Sequence, residues 1–156
     1  MGERETLAAL SVRQPYADAL CWAGRDVHSL AGRLRYTGPI AIHAPRNWLD
    51  VDSATFRQIM DLVQARTRRP WDAESPRRRV HIVAVANLVG QHRAGDLRVG
   101  CDPRTGLCSP WAWPERWHHQ FTDVRPLPEP VPCPGARGLW RLPPDVDEQV
   151  RAQVSI

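Results

Sequence analysis

The chain has 156 residues, 42% hydrophobic and 24% charged, with a net charge of +4 and a pI near 9.3. That length suits a single domain spanning 1–156, and no apolar run approaches the roughly 18 residues a membrane span requires. The start, Met1 to Glu5, lacks an apolar stretch after a basic one, so no secretion signal is expected and a cytoplasmic protein is. All 21 basic residues are arginine. A GC-rich genome suffices to produce that bias, but its chemical consequence stands: no lysine amine can serve as base or nucleophile, because guanidinium stays protonated. The positive balance favours a polyanionic partner.

Along the chain, residues 7–12 read as a strand leading into a helix over 14–22, with Pro15 in its first turn and Gly24 beyond its end. A short apolar strand follows at 40–44. Asp52 and Ser53 can cap a helix whose Phe56, Ile59, Met60 and Val63 share one face, ending before Pro70. After a charged turn at 76–79, residues 80–89 are apolar and β-branched enough for a central strand. Periodicity vanishes over 90–114, which reads as an insertion loop. A strand resumes at 117–122, the proline-rich RPLPEPVPCP crosses over in extended form, a last strand covers 138–142, and a helix over 143–154 carries Val146, Val150 and Val154. Five or six strands with three helices, in no regular βαβ order, predict an α+β fold built on a small barrel.

The stretches LSVRQPYADAL, GRDV…RLRYTGPIAIHA, IVAVANLV and WHHQFTDVRPLPEPVPCPGARGLWRLP resemble, in order, the ASCH domain of the PUA-like superfamily. The resemblance covers nearly the whole chain apart from the loop at 90–114. It implies a small PUA-like β-barrel with flanking helices and a cleft that binds RNA, DNA or a single, often modified, nucleobase. A few such proteins look like nucleoside amidohydrolases or ribonucleases. The family's pattern after the first helix, Gly-x-Lys-x-x-Glu-x-Arg and then Trp, is altered here: Arg25 stands for the Lys, His28 for the Glu, Leu30 for the Arg and Gly32 for the Trp. Arg33, Arg35, Tyr36, Gly38 and Pro39 fit. The shell of the family's site is thus kept while its proton-transfer groups are replaced, which favours a binding module over an enzyme.

The expected base-binding cleft comprises Arg13, Gln14, Tyr16, Arg25, His28, Ser29, Arg33, Arg35, Tyr36 and His43. Guanidinium groups grip phosphate, phenol faces stack on bases, and a Gln amide can pair a base edge. The alternative for each is structural: Gln14 capping a helix start, the arginines forming a solvated face, and His43 a satisfied buried imidazole. His28 as base with Ser29 as nucleophile is the enzymatic alternative, set against the opposite faces that consecutive strand residues present. A second basic run, Arg66, Arg68, Arg69 and Arg77 to Arg79, could extend a backbone path. Of the cysteines, expected to be reduced, Cys21 reads as core. His92, Cys101, Cys108 and His118, with His119 beside them, are candidate ligands of a structural zinc, against a Cys-x6-Cys spacing looser than usual. Two of Trp111, Trp113 and Trp117 are expected in the core, as is Trp140. The partner expected is RNA or DNA, single-stranded or carrying a modified base, and no membrane; the exposed proline-rich segment also suits a protein-interaction module.

Overall fold

Burial of small and β-branched residues sets the centre of the molecule: Ile40, Ala41, Ile42 and Ala44, and Ile82 through Ala86, are almost wholly excluded from water, the pattern of strands covered on both faces. The structure, a computed structural model, describes residues 4–50, 52–68 and 79–156. Its elements run β1 (Ala8–Ser11), α1 (Tyr16–Trp22), β2 (Val27–Leu30), β3 (Gly38–Ala44), α2 (Ser53–Thr67), β4 (His81–Arg93), β5 (Trp117–Pro132), β6 (Leu139–Arg141) and α3 (Pro144–Arg151), with one 3-10 turn at Leu97–Val99. The fold is α+β, as the sequence predicts. Arg69, Arg77, Arg78 and most of the expected turn at 76–79 lie outside the described residues.

The strands form one mixed sheet in the order β2-β5-β4-β3-β1-β6. β1 runs parallel to β3 and antiparallel to β6, and β2 is antiparallel to β5. Among the described residues the outer strands β2 and β6 do not pair with each other, so the sheet is open. The expected closure into a barrel is corrected to that extent: its edges have only four and three residues, little on which to build the stagger that closure demands.

Two compact units make up the chain. Unit 1 comprises residues 1–25, 39–86 and 124–156; unit 2 comprises 26–38 and 87–123. In unit 1, Leu7, Ala9, Ala41, Ile82, Val85, Leu127, Val131, Leu142, Val146 and Val150 form a continuous core, with Trp140 and Val154 packed against it. Trp140, expected fully inside, is therefore only partly buried. Asp52 caps α2 as expected, its carboxylate accepting from the Thr55 N–H at 2.8 Å.

Three elements depart from expectation. β2 falls where the chain-order reading places no element, although the weighing of His28 against Ser29 treats the two as strand neighbours, as they are. β4 runs on to Arg93, into what reads as loop. The proline-rich run belongs to β5 rather than to a crossover. Proline cannot donate to a ladder, but here the Gln153 carboxamide serves as a neighbouring strand would: it accepts from the Glu129 N–H at 2.8 Å and donates to the Glu129 carbonyl at 2.7 Å.

α3 is fastened by Asp147, whose carboxylate accepts from the buried Leu7 N–H at 2.7 Å and from Arg151 Nε at 2.8 Å. Removing it strands a buried amide and a guanidinium together. Asp147→Ala is expected to lower the free energy of unfolding by about 2–3 kcal/mol, read from urea denaturation; a loss below a few tenths would show that α3 is held by apolar packing alone.

Candidate functional site

Parallel pairing of β1 with β3 places Ser11 directly beside His43. Cross-strand neighbours share a face, so the two side chains meet: Ser11 Oγ lies 3.0 Å from His43 Nδ1. On the far side of the ring, Nε2 is 2.7 Å from the Cys133 carbonyl. A carbonyl only accepts, so Nε2 carries the proton and Nδ1 is left to accept from the serine hydroxyl. The hydroxyl also sits 3.4 Å from the Ala136 carbonyl. His43 is 1% exposed, and burial is the largest cause holding its pKa below the usual histidine value. Trp140 closes the ring edge-on at 5.5 Å between centroids.

This pair lies on the wall of a pocket of about 540 Å³ in unit 1. Arg13, Arg46, Arg137 and Asn47 line it, with Pro134, Gly135 and Ala136 of the segment after β5, and no lining residue is acidic. Arg13, Arg46 and Arg137 are exposed, so three permanent cations face one cavity. Gly135 has no substitute there: a Cβ would fall 2.5 Å from His43 Cε1 and 2.9 Å from Ser11 Oγ. Val80, on the same wall, adopts φ +59°, a region β-branched residues avoid, and is pinned by hydrogen bonds from its N–H to the Ala44 carbonyl (2.6 Å) and to its carbonyl from Cys133 N–H (3.0 Å).

Of the residues expected in one cleft, the structure brings Arg13 and His43 to this pocket. Gln14 is wholly buried at the start of α1, where its amide donates to Asp18 at 3.0 Å and accepts from the Asp18 N–H. Tyr16 and Arg25 are buried too, the guanidinium 4.5 Å over the phenol ring. Within unit 2, His28 and Ser29 are consecutive on β2, and Ser29 Oγ accepts from the Trp113 N–H at 2.9 Å. Arg33, Arg35 and Tyr36 line a separate hollow of about 430 Å³ with Thr37 and Gln91, and the Gln91 amide donates to the Tyr36 carbonyl. Arg33 and Arg93 also lie over the Trp117 ring. Trp111 and Trp117 are half-buried and Trp113 is exposed, so none of the three is core; Ala112 between them is buried instead. Arg66 and Arg68 sit exposed at the end of α2, and Arg79 lies 4.7 Å from the Trp48 ring. Sequence reasoning missed Arg46 and Arg137. The Pro-Arg-Asn after β3 and the Gly-Ala-Arg-Gly after β5 carried the signal, as glycine and arginine beside strand ends.

Unit 2 holds a different group. His92 near the end of β4, Cys101 and Cys108 in the loop, and His118 at the start of β5 converge, with one ligand atom of each lying within 4.8 Å of the others. His92, Cys101 and His118 are buried and Cys108 half-buried. The loose Cys-x6-Cys spacing is absorbed by a tight turn: the Asp102 N–H reaches the Leu107 carbonyl and the Gly106 N–H the Asp102 carbonyl, both at 2.8 Å, while the Asp102 carboxylate accepts from the N–H groups of Arg104 and Thr105. The two cysteines therefore flank the neck of one turn. Cys108 Sγ is 3.4 Å from His118 Nδ1, and His118 Nε2 is 2.7 Å from the Trp113 carbonyl. Burial beside Cys101 pushes the Cys108 thiol up to about 11. His119 is not part of the group: its Nε2 accepts from the Leu34 N–H and its Nδ1 faces the His28 carbonyl. These four residues could hold a metal ion.

No protein-family model matches the chain, and no curated protein matches it.

The buried imidazole of unit 1 has a consequence for stability. Unfolding exposes His43 and restores its ordinary proton affinity, so below the usual histidine range the unfolded chain binds more protons than the folded one. Stability is therefore fully present above about pH 7 and falls on acidification, by up to about 1.4 kcal/mol per pH unit for one group. His43→Asn is expected to reduce the dependence between pH 7 and 5 in chemical denaturation, leaving the part due to His92 and His119, which burial also displaces downward; an unchanged slope would assign the acid sensitivity to other groups.

Proposed function

We propose that the chain is an ASCH-like binding module whose unit 1 pocket takes a nucleotide or a single-stranded nucleic acid. The observation that carries this reading is the concentration of Arg13, Arg46 and Arg137 around one acid-free pocket, beside a Ser–His pair and backbone brought close by Gly135. Guanidinium forks suit phosphate oxygens, and the Asn47 amide and Ser11 hydroxyl can meet base or sugar edges. The PUA-like barrel belongs to the same family reading, with the open mixed sheet as its counterpart here. Arg33, Arg35 and Tyr36 offer unit 2 a second cationic and aromatic surface of the kind that tracks a strand. A zinc ion at His92, Cys101, Cys108 and His118 also belongs to this reading, since two thiolates and two imidazoles suit that metal and leave no open position for substrate.

Binding is measured by fluorescence anisotropy against single-stranded RNA, single-stranded DNA, duplex DNA and modified nucleosides. Affinity is expected to fall steeply with salt. Arg13→Ala and Arg137→Ala should each weaken binding about tenfold and reduce the logarithmic salt slope by about one. Absence of binding to every probe at low salt would sink the proposal.

One observation favours a hydrolytic reading of the same pocket. A neutral imidazole held in one tautomer by Cys133 accepts from the Ser11 hydroxyl, the arrangement by which serine is activated. Attack by Oγ on an acyl carbon would pass the hydroxyl proton to Nδ1 and then to the leaving group, and water would release the acyl chain. Acylated cytidine, and RNA as a control, test this: product lost in Ser11→Ala far beyond any weakening of nucleotide binding supports the enzyme, and no product from the wild-type protein eliminates it.

A further inference from the structure

Unit 2 is poor in the usual means of staying folded. Its roughly 50 residues bury few apolar side chains among those described, namely Val27, Leu88, Ala112 and Phe121 besides Cys101. The rest of its interior is polar: His92, Ser109, His118 and His119. Segments of this size with so small a core are marginal, and metal ions are one of the devices that order them. His92 Nε2 is buried with no hydrogen-bond partner among the described residues, a cost of about 1–3 kcal/mol unless something occupies the space it faces. His118 is oriented as metal-bound histidines are, one nitrogen donating to a carbonyl and the other directed at a sulfur. Zn–N near 2.0–2.1 Å and Zn–S near 2.3 Å require ligand atoms about 3.3–3.8 Å apart at the corners of a tetrahedron. The Cys108–His118 separation of 3.4 Å already meets this, and the widest separation, within 4.8 Å, lies about 1 Å beyond it.

We propose that zinc held by His92, Cys101, Cys108 and His118 is what folds unit 2, so that the metal-free chain loses the order of residues 87–123 while the core of unit 1 persists. This rests on the zinc reading above and is independent of what the unit 1 pocket binds. The ion joins the end of β4, both sides of the Asp102 turn and the start of β5; β4 and β5 are already neighbours in the sheet, while the turn is tied to them by a few backbone hydrogen bonds, among them Gly95 N–H to the Gly106 carbonyl and Cys101 N–H to the Asp96 carbonyl. Binding replaces the protons of Cys101 and Cys108 with one divalent cation, turning a buried and a half-buried thiol and an orphaned imidazole nitrogen into ligands. The core of unit 1 contains none of these residues.

The full-length protein is purified without added metal, assayed for bound zinc, and followed by hydrogen exchange with mass spectrometry before and after chelation. One zinc per chain is expected. Its removal should lower protection about 100-fold across 87–123 and leave peptides covering 40–44, 82–86 and 146–150 unchanged. Zinc that leaves without loss of protection in 87–123 would overturn the folding role while leaving the zinc reading intact. A chain that binds no zinc even on reconstitution, or that carries a Cys101–Cys108 disulfide in its place, would overturn both. Because Cys108→Ser is itself expected to unfold the loop, cobalt exchange into the wild-type chain gives a second readout: visible bands of a tetrahedral thiolate site support the ligand set, and their absence counts against it.

Discussion

A single buried imidazole organises the surface of unit 1. His43 can neither be exposed nor charged without loss, because each ring nitrogen is committed, Nδ1 to Ser11 and Nε2 to the Cys133 carbonyl. Those two contacts tie β1, β3 and the segment after β5 to one point. The ring's edge demands glycine at 135, and the close approach of that backbone brings Ala136 and Arg137 to the pocket that Arg13 and Arg46 also line. The cation cluster thus follows from the packing of one neutral side chain.

Unit 2 solves a different problem. The long connection between β4 and β5 buries little of its apolar material, with Leu97, Val99 and Trp113 exposed, and its tip is held by turn hydrogen bonds together with the Gly95 N–H to the Gly106 carbonyl. Asp102 does much of this locally, since its carboxylate and carbonyl both accept backbone donors and so fold six intervening residues into a neck that sets Cys101 and Cys108 side by side. The histidines arrive from the strand ends, where the sheet places them. Local turn geometry and sheet register therefore converge on one spot, and the polar interior left over is the kind that a divalent cation satisfies.

The absence of lysine narrows the chemistry throughout. Every cation in the chain is a guanidinium, suited to gripping planar or tetrahedral oxyanions and stacking on rings, and unsuited to giving up a proton. Arg13, Arg46 and Arg137 line the pocket, while Arg25, Arg33, Arg79 and Arg93 lie over aromatic rings. Burial displaces His43, His92 and His119 downward and Cys108 and Cys133 upward, away from ionisation in each case.

Hydrophobic periodicity and end signals are local properties, and the sequence alone was enough for what they govern: the α+β class, the three helices, the capping role of Asp52, the apolar β3 and β4, and the set of side chains with the chemistry of a metal ligand. It fell short where an outcome depends on partners distant in the chain. Whether Arg25 faces a cleft or lies against Tyr16, whether Gln14 reads a ligand or closes a helix on Asp18, and whether a proline-rich run is a crossover or a strand completed by Gln153 are settled by packing, which no window of neighbouring residues contains. The same holds for the pocket itself. Ser11, Arg46 and Arg137 are scattered over more than a hundred residues, and only parallel pairing of β1 with β3, together with the return of the chain after β5, makes them neighbours.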